Sequence, residues 1–202
     1  MSIYDDLLKN FVLPDSFRFA IETPFVTRHD VNKVAATDGH TLMICNRANC
    51  DEQYPTQDAK HDFPNVEKAL NKGKMIEPIE FDIATRCQSL KDDADLWRML
   101  CGENEISIDG DTMVWFYDSL IDFRYLRRVL DVAVAIADGK VILTHTGFME
   151  NSASSVGGAL QFLIGEDTII LIMPMRGDKL NARALILDST PPTPREDEVH
   201  NG

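Results

Sequence analysis

Thr168-Ile169-Ile170-Leu171-Ile172-Met173-Pro174-Met175-Arg176 sets isoleucine and leucine side by side from 169 to 172. A strand with one wet face alternates apolar and polar residues, whereas a strand covered on both faces need not. The run therefore reads as a doubly buried strand over Thr168 to Met173, ended by Pro174, which has no N–H to give a ladder. Ala159 to Ile164 and Val141 to Thr144 read as its partners, with Gly147, the Gly157-Gly158 pair and Gly165 as the breaks. Three successive strands with glycine between them predict an antiparallel sheet.

Ahead of these strands, Phe123 to Ala137 is the strongest helical pattern in the chain. At 100° per residue, Leu126, Val129, Leu130, Ala133, Ile136 and Ala137 fill one side, while Arg124, Arg127, Arg128 and Asp131 share the other. Nearer the start, Ile3, Leu7, Leu8 and Phe11 lie on one helical face, with Pro14 as a stop. Phe17 to Thr23 alternates like a strand that ends at Pro24. Lys33 to Ala36 and Thr41 to Cys45 flank Ala36-Thr37-Asp38-Gly39-His40, whose Asp-Gly pair suits a tight hairpin turn with positive φ. Arg47 to Asp62 is polar and reads as loop.

Glu77 to Ile83 is a further candidate strand, followed by a helical stretch through Leu90, Leu96, Trp97 and Leu100. Glu105 to Ile108 and Thr112 to Tyr117 flank Asp109-Gly110 as a second hairpin signal, and Leu185-Ile186-Leu187 is a candidate for one more short strand. The pattern is α+β. Residues 1–187 form the folded part, with 1–62 and 63–187 as candidate halves. Residues 188–202, where prolines sit among charges, have too little apolar content to fold and read as a disordered tail.

At 202 residues and 44% hydrophobic content the chain can bury an ordinary core. Its formal charge of −13 excludes a protein that coats nucleic acid with its whole surface, so any such contact must be a local basic patch. Cys45, Cys50, Cys87 and Cys101 form no CxxC pair, and no secretion signal precedes them, which predicts reduced thiols in the cytoplasm. Cys45, Cys50 and His61 could supply three metal ligands, but their spacing fits no common zinc pattern and a fourth is missing, so no metal is expected. GxSxG, P-loop, GxGxxG and HExxH signatures are absent, and Asp93-Ala94-Asp95 fails the calcium-loop pattern at Arg98 and Asn104. The expectation is a non-enzymatic protein without a cofactor.

The Ala36-to-His40 segment and the Ile172-Met173-Pro174-Met175-Arg176 segment resemble two signatures of the bacterial β sliding clamp, an ATDGH(R)L hairpin and a closing (V/I)MPMR(L) strand. Between them, Asp62 to Leu70 is similar to that family's FPDYxxVL linker, and Ile121 to Leu130 to its F(N/D)xxYLLDxL helix start. The order is the family's own, although a full clamp subunit is longer. The resemblance implies a shortened DNA-clamp-like fold with helices on antiparallel sheets.

It further implies a pocket for short partner peptides made of Thr37, Gly39, His40 and Leu42 from the hairpin, Pro64 from the linker, and Leu171, Ile172, Met173 and Pro174 from the last strand. Thr41 stands where the signature has arginine, and Gly177 where it has leucine. Arg124, Arg127 and Arg128 would face duplex DNA and meet phosphates without reading bases. The implied partners are a DNA polymerase or other replication and repair proteins, non-specific duplex DNA, and further copies of this chain in a ring. The same residues also allow plainer readings: a simple hairpin turn, a proline-ended core strand, and a solvated arginine face paired with carboxylates. Two functions stay open, a processivity clamp that contacts DNA and an adaptor that docks partner peptides without encircling DNA.

Overall fold

A computed structural model of the chain describes residues 1–16, 19–57, 65–70, 74–82, 113–116, 119–122, 124–147, 158–174 and 183–184. Helix α1 spans Ile3–Lys9 and begins on a reciprocal cap: Ser2 Oγ accepts the Tyr4 N–H at 3.1 Å, and Asp5 Oδ2 accepts the Ser2 N–H at 3.1 Å. Leu7, Leu8 and Phe11 are buried as the helical spacing predicts, but Ile3 is half exposed. A short helix α2, Phe19–Glu22, stands where the alternation from Phe17 to Thr23 predicts a strand. So short an alternation carries little periodic information, and Leu13 donates its N–H to the Ile21 carbonyl at 2.7 Å, which folds this turn back on the end of α1. The strand begins after Pro24 instead, as β1, Phe25–Val26.

Strands β2 (Lys33–Thr37) and β3 (Thr41–Asn46) form the expected hairpin, and a 3-10 turn over Arg47–Asn49 follows within the region read as loop. Helix α3 spans Val66–Leu70, and β4 spans Lys74–Asp82. Next come β5 (Met113–Phe116), β6 (Ser119–Asp122), helix α4 (Arg124–Ala137), β7 (Lys140–Gly147), β8 (Gly158–Ile164), β9 (Thr168–Ile172) and β10 (Arg183–Ala184). Strand β5 pairs antiparallel with β6 and parallel with β10 in a small sheet. The expected helix near Leu90 to Leu100, the strand from Glu105 to Ile108, residues 185–187 and the tail 188–202 lie outside the described residues.

The main sheet runs β1-β2-β3-β9-β8-β7-β4, and each neighbouring pair in it is antiparallel. Strands from both candidate halves share it, because β3 pairs with β9. Pro78 lies in β4, the edge strand, where the register to β7 shifts between Met75 and Ile79; an edge tolerates the missing N–H. Helices α1 and α4 cover one face, and Leu8, Phe11, Met43, Leu126, Val129, Phe162, Ile170 and Ile172 build the core between them and the sheet. The last turn of α4 closes through Asp138, at φ +49°, and the Gly139 N–H, which reaches back to the Ala133 carbonyl at 3.0 Å. Among the described residues no helix is long and apolar enough to cross a membrane. The architecture is α+β with helices packed on an antiparallel main sheet, as the sequence pattern predicts, beside a small mixed sheet.

Candidate partner-docking site

The hairpin tip between β2 and β3 is held by its own side chains. Asp38 Oδ1 accepts the N–H of His40 at 2.9 Å and of Thr41 at 2.7 Å, the bond pattern of an aspartate-stabilised turn. Thr37 Oγ1 accepts the Gly39 N–H at 3.0 Å and donates to the Thr41 carbonyl at 2.6 Å. Gly39 sits at φ +92°, a backbone state in which any Cβ would be strained, so the turn needs glycine there. Burial pushes the Asp38 carboxyl pKa up, but the Thr41 and His40 N–H groups and the Arg128 charge outweigh it and hold the pKa below the ordinary aspartate range.

Strand order then brings the hairpin to β9. Thr41 pairs with Ile172 and Leu42 with Leu171, and the Met173 N–H donates to the His40 carbonyl at 2.8 Å. Side chains alternate across the sheet, so these partners divide between its two faces. Leu42 and Leu171 join Phe25, Ala35, Ile44 and Val66 on the face away from α1 and α4, with Ala69, Leu70 and Ile169 packed against them. Ile172 points the other way, fully buried in the helix-side core with Met43 and Ile170. It therefore does not share a pocket floor with Leu42, contrary to the expectation from the clamp signature, because a one-residue step in a strand changes faces. Half-buried Met173 and Pro174 follow directly after the strand ends at Ile172.

Helix α3 completes this face, and it is not among the elements predicted from the sequence. Val66, Ala69 and Leu70 do recur at helical spacing immediately after Asn65, but the segment's likeness to a linker obscures that signal. Pro64, His61, Met175 and Arg176 lie outside the described residues. This face thus holds buried Leu42, Leu171 and Val66 with half-buried Ala69 and Leu70 packed against them, and half-buried Met173 and Pro174 follow at the end of β9 next to the exposed hairpin tip of Gly39 and His40.

Each arginine of the α4 face has a carboxylate partner. Arg124 forks onto Asp122 through Nε and Nη2, and Arg127 Nε meets Asp131 at 2.6 Å one turn along. Arg128 Nη1 meets Asp38 Oδ2 at 2.5 Å and also donates to Thr41 Oγ1. The Arg128 guanidinium lies over the rings of Phe11, at 5.5 Å, and Tyr125, at 5.6 Å. The His40 ring stacks on Tyr125 with centroids 5.9 Å apart and planes at 14°. Thus α4 touches the hairpin tip through both Arg128 and Tyr125.

Elsewhere, Cys45 and Cys50 are free, with sulfurs 3.9 Å apart. Burial and the other thiol push the Cys45 pKa well up, and burial also raises that of Cys50, so both thiols are poor nucleophiles.

Helices backed on one antiparallel sheet, with the hairpin laid against the closing strand, define a DNA-clamp-like fold. Solved structures with this fold are the DNA polymerase III subunit beta from Borrelia burgdorferi (TM-score 0.52, 10% identity, 86% of this chain and 62% of that one) and the DNA polymerase sliding clamp from Caulobacter crescentus (0.51, 10%, 88% and 65%). The DNA polymerase III beta subunit from Thermotoga maritima is similar to the same degree (0.50, 13%, 87% and 64%). The chain spans just under two thirds of the length of each of these structures. No family model and no curated protein sequence matches the chain.

Proposed function

We propose that this protein is a non-enzymatic, clamp-like docking module that receives a short peptide from a replication or repair partner on the face formed by the hairpin, β9 and α3. The observation that carries this reading is the pairing of Leu42 with Leu171 beneath α3, with the His40–Met173 bond beside it. A fold needs an apolar face covered. It does not need a glycine turn bonded to a methionine that precedes a proline. Methionine adapts to differently shaped anchors, and proline keeps the wall still, which lowers the ordering cost of binding. An extended peptide with leucine and phenylalanine anchors is expected to bind with a Kd on the order of micromolar, about −8 kcal/mol. Titration calorimetry with such a peptide tests this, and no heat at high peptide concentration would remove the docking reading.

Contact with duplex DNA, and with it a processivity role, is a second reading, favoured by the side chains of Arg124 and Arg127, which are 47% and 37% exposed on one helix face. The Arg127–Asp131 pair is exposed on both sides, and such pairs are worth only about 0–1 kcal/mol, so a phosphate could replace Asp131 there, whereas buried Asp122 keeps Arg124 beside it. Binding would be weak, independent of sequence and steeply reduced by salt. Alanine at Arg124, Arg127 and Arg128 together should lower both affinity and salt slope, by about 0.9 in slope for each phosphate no longer neutralised. Unchanged binding in that variant, or none by the parent protein at low salt, would leave the adaptor reading. Light scattering separates the two further: a trimer or hexamer supports a ring, a monomer the adaptor.

A further inference from the structure

We propose that Arg128 is a positioning residue that fixes the hairpin tip, and through it the Met173 side of the docking face, so that its charge serves Asp38 and not a phosphate. The docking part of this inference rests on the function proposed above; the hairpin part does not. The three arginines of α4 differ in what they hold. Arg124 and Arg127 pair with residues two and four positions away, so they tie the helix region only to itself. Arg128 reaches across 90 residues of chain to Asp38 and 87 to Thr41. It is also the least exposed of them, at 25% of its side chain against 9% for Asp38, and its guanidinium rests on Phe11 and Tyr125. A charge pair shielded in this way is less screened than one at the surface.

The contacts form a continuous path. Arg128 holds one oxygen of Asp38, and the other accepts the His40 and Thr41 N–H groups. His40, braced by its stack on Tyr125, offers its carbonyl to the Met173 N–H. Loosening Arg128 should therefore loosen the His40, Thr41 and Met173 amides together. Thr41 offers a hydroxyl where the clamp signature has arginine, and the guanidinium that meets this hydroxyl comes from α4 instead.

Amide hydrogen exchange on the full chain tests the inference. In Arg128→Ala the His40, Thr41 and Met173 amides should exchange about tenfold faster or more, while amides at the turn between β8 and β9 keep their rates. Asp38→Asn, which retains shape and removes only the charge, should do the same and serves alone if the alanine variant does not fold. The double variant should be no worse than either single one, as expected for two halves of one interaction. Arg128→Lys, without the planar fork, should restore part of the protection. Unchanged exchange at His40 and Met173 would overturn the proposal, and so would a salt slope for duplex binding that falls in Arg128→Ala. With the anchor peptide as probe, affinity should drop about tenfold in both single variants. Faster exchange with unaltered peptide affinity would overturn the docking part. Faster exchange in a protein whose parent form binds no peptide would support the hairpin role and remove the function proposed above.

Discussion

Alanine in place of Asp5 is expected to destabilise the fold by about 3 kcal/mol or more, measured as the shift in urea unfolding. The carboxylate is fully buried and accepts four bonds: from the Ser2 N–H at 3.1 Å, the Asp51 N–H at 3.0 Å, the Glu52 N–H at 3.4 Å and the Tyr54 hydroxyl at 2.7 Å. It thus caps α1 and anchors residues 51–54 to it in the same stroke. Removing the acceptor strands buried donors, which costs more than the bonds themselves contribute. Burial pushes the Asp5 pKa up, but the bonds from Tyr54, Asp51, Glu52 and Ser2 outweigh it and hold the pKa below the ordinary range, and Asp38 behaves alike. A carboxyl whose folded pKa is depressed stabilises the fold fully above its unfolded pKa, about 4, and loses that contribution as pH falls through the folded value. Stability should therefore decline below about pH 4, and Asp5→Asn should flatten that acid limb.

Ile172→Ala and Met173→Ala should separate stability from docking, although the two residues are adjacent. Ile172 is wholly buried in the helix-side core, so its truncation should cost about 3 kcal/mol of stability and leave peptide affinity per folded molecule unchanged. Met173 is half-buried just past the end of β9 and bonded to the hairpin tip, so its truncation should leave the fold intact and weaken the anchor peptide by about 1 kcal/mol or more. Unfolding curves and calorimetry on both variants check the pair. Equal effects of the two changes on affinity would mean that the strand does not divide its faces as described.

Strong local signals make the second half of the chain legible. Consecutive isoleucines, a long amphipathic helix and glycines at the breaks each state their element without help from the rest of the fold. The hairpin is equally clear, since Asp38-Gly39 admits few other turns. Strand order is a different matter. That β9 inserts between β3 and β8, and so lies against the hairpin, depends on pairing across more than a hundred residues; only the resemblance to the clamp signatures points to it. The same limit explains the misplaced Ile172, whose face follows from register and not from composition. It also explains why the helical wheel puts Arg128 on the polar side of α4 without naming Asp38, 90 residues away, as its partner. Short elements such as α2 and α3 escape sequence reading because one turn of helix gives too few residues for a period to show.

The most direct test of the docking claim is an NMR titration of the full chain with the leucine- and phenylalanine-bearing peptide, following amide and methyl signals. Shifts are expected at His40, Leu42, Leu70, Leu171 and Met173 that saturate together at micromolar peptide, while the methyls of Leu160 and Ile164 in the helix-side core stay in place. No shift at His40, Leu42 or Met173 at high peptide concentration, or shifts confined to the α1 and α4 side of the sheet, would contradict it.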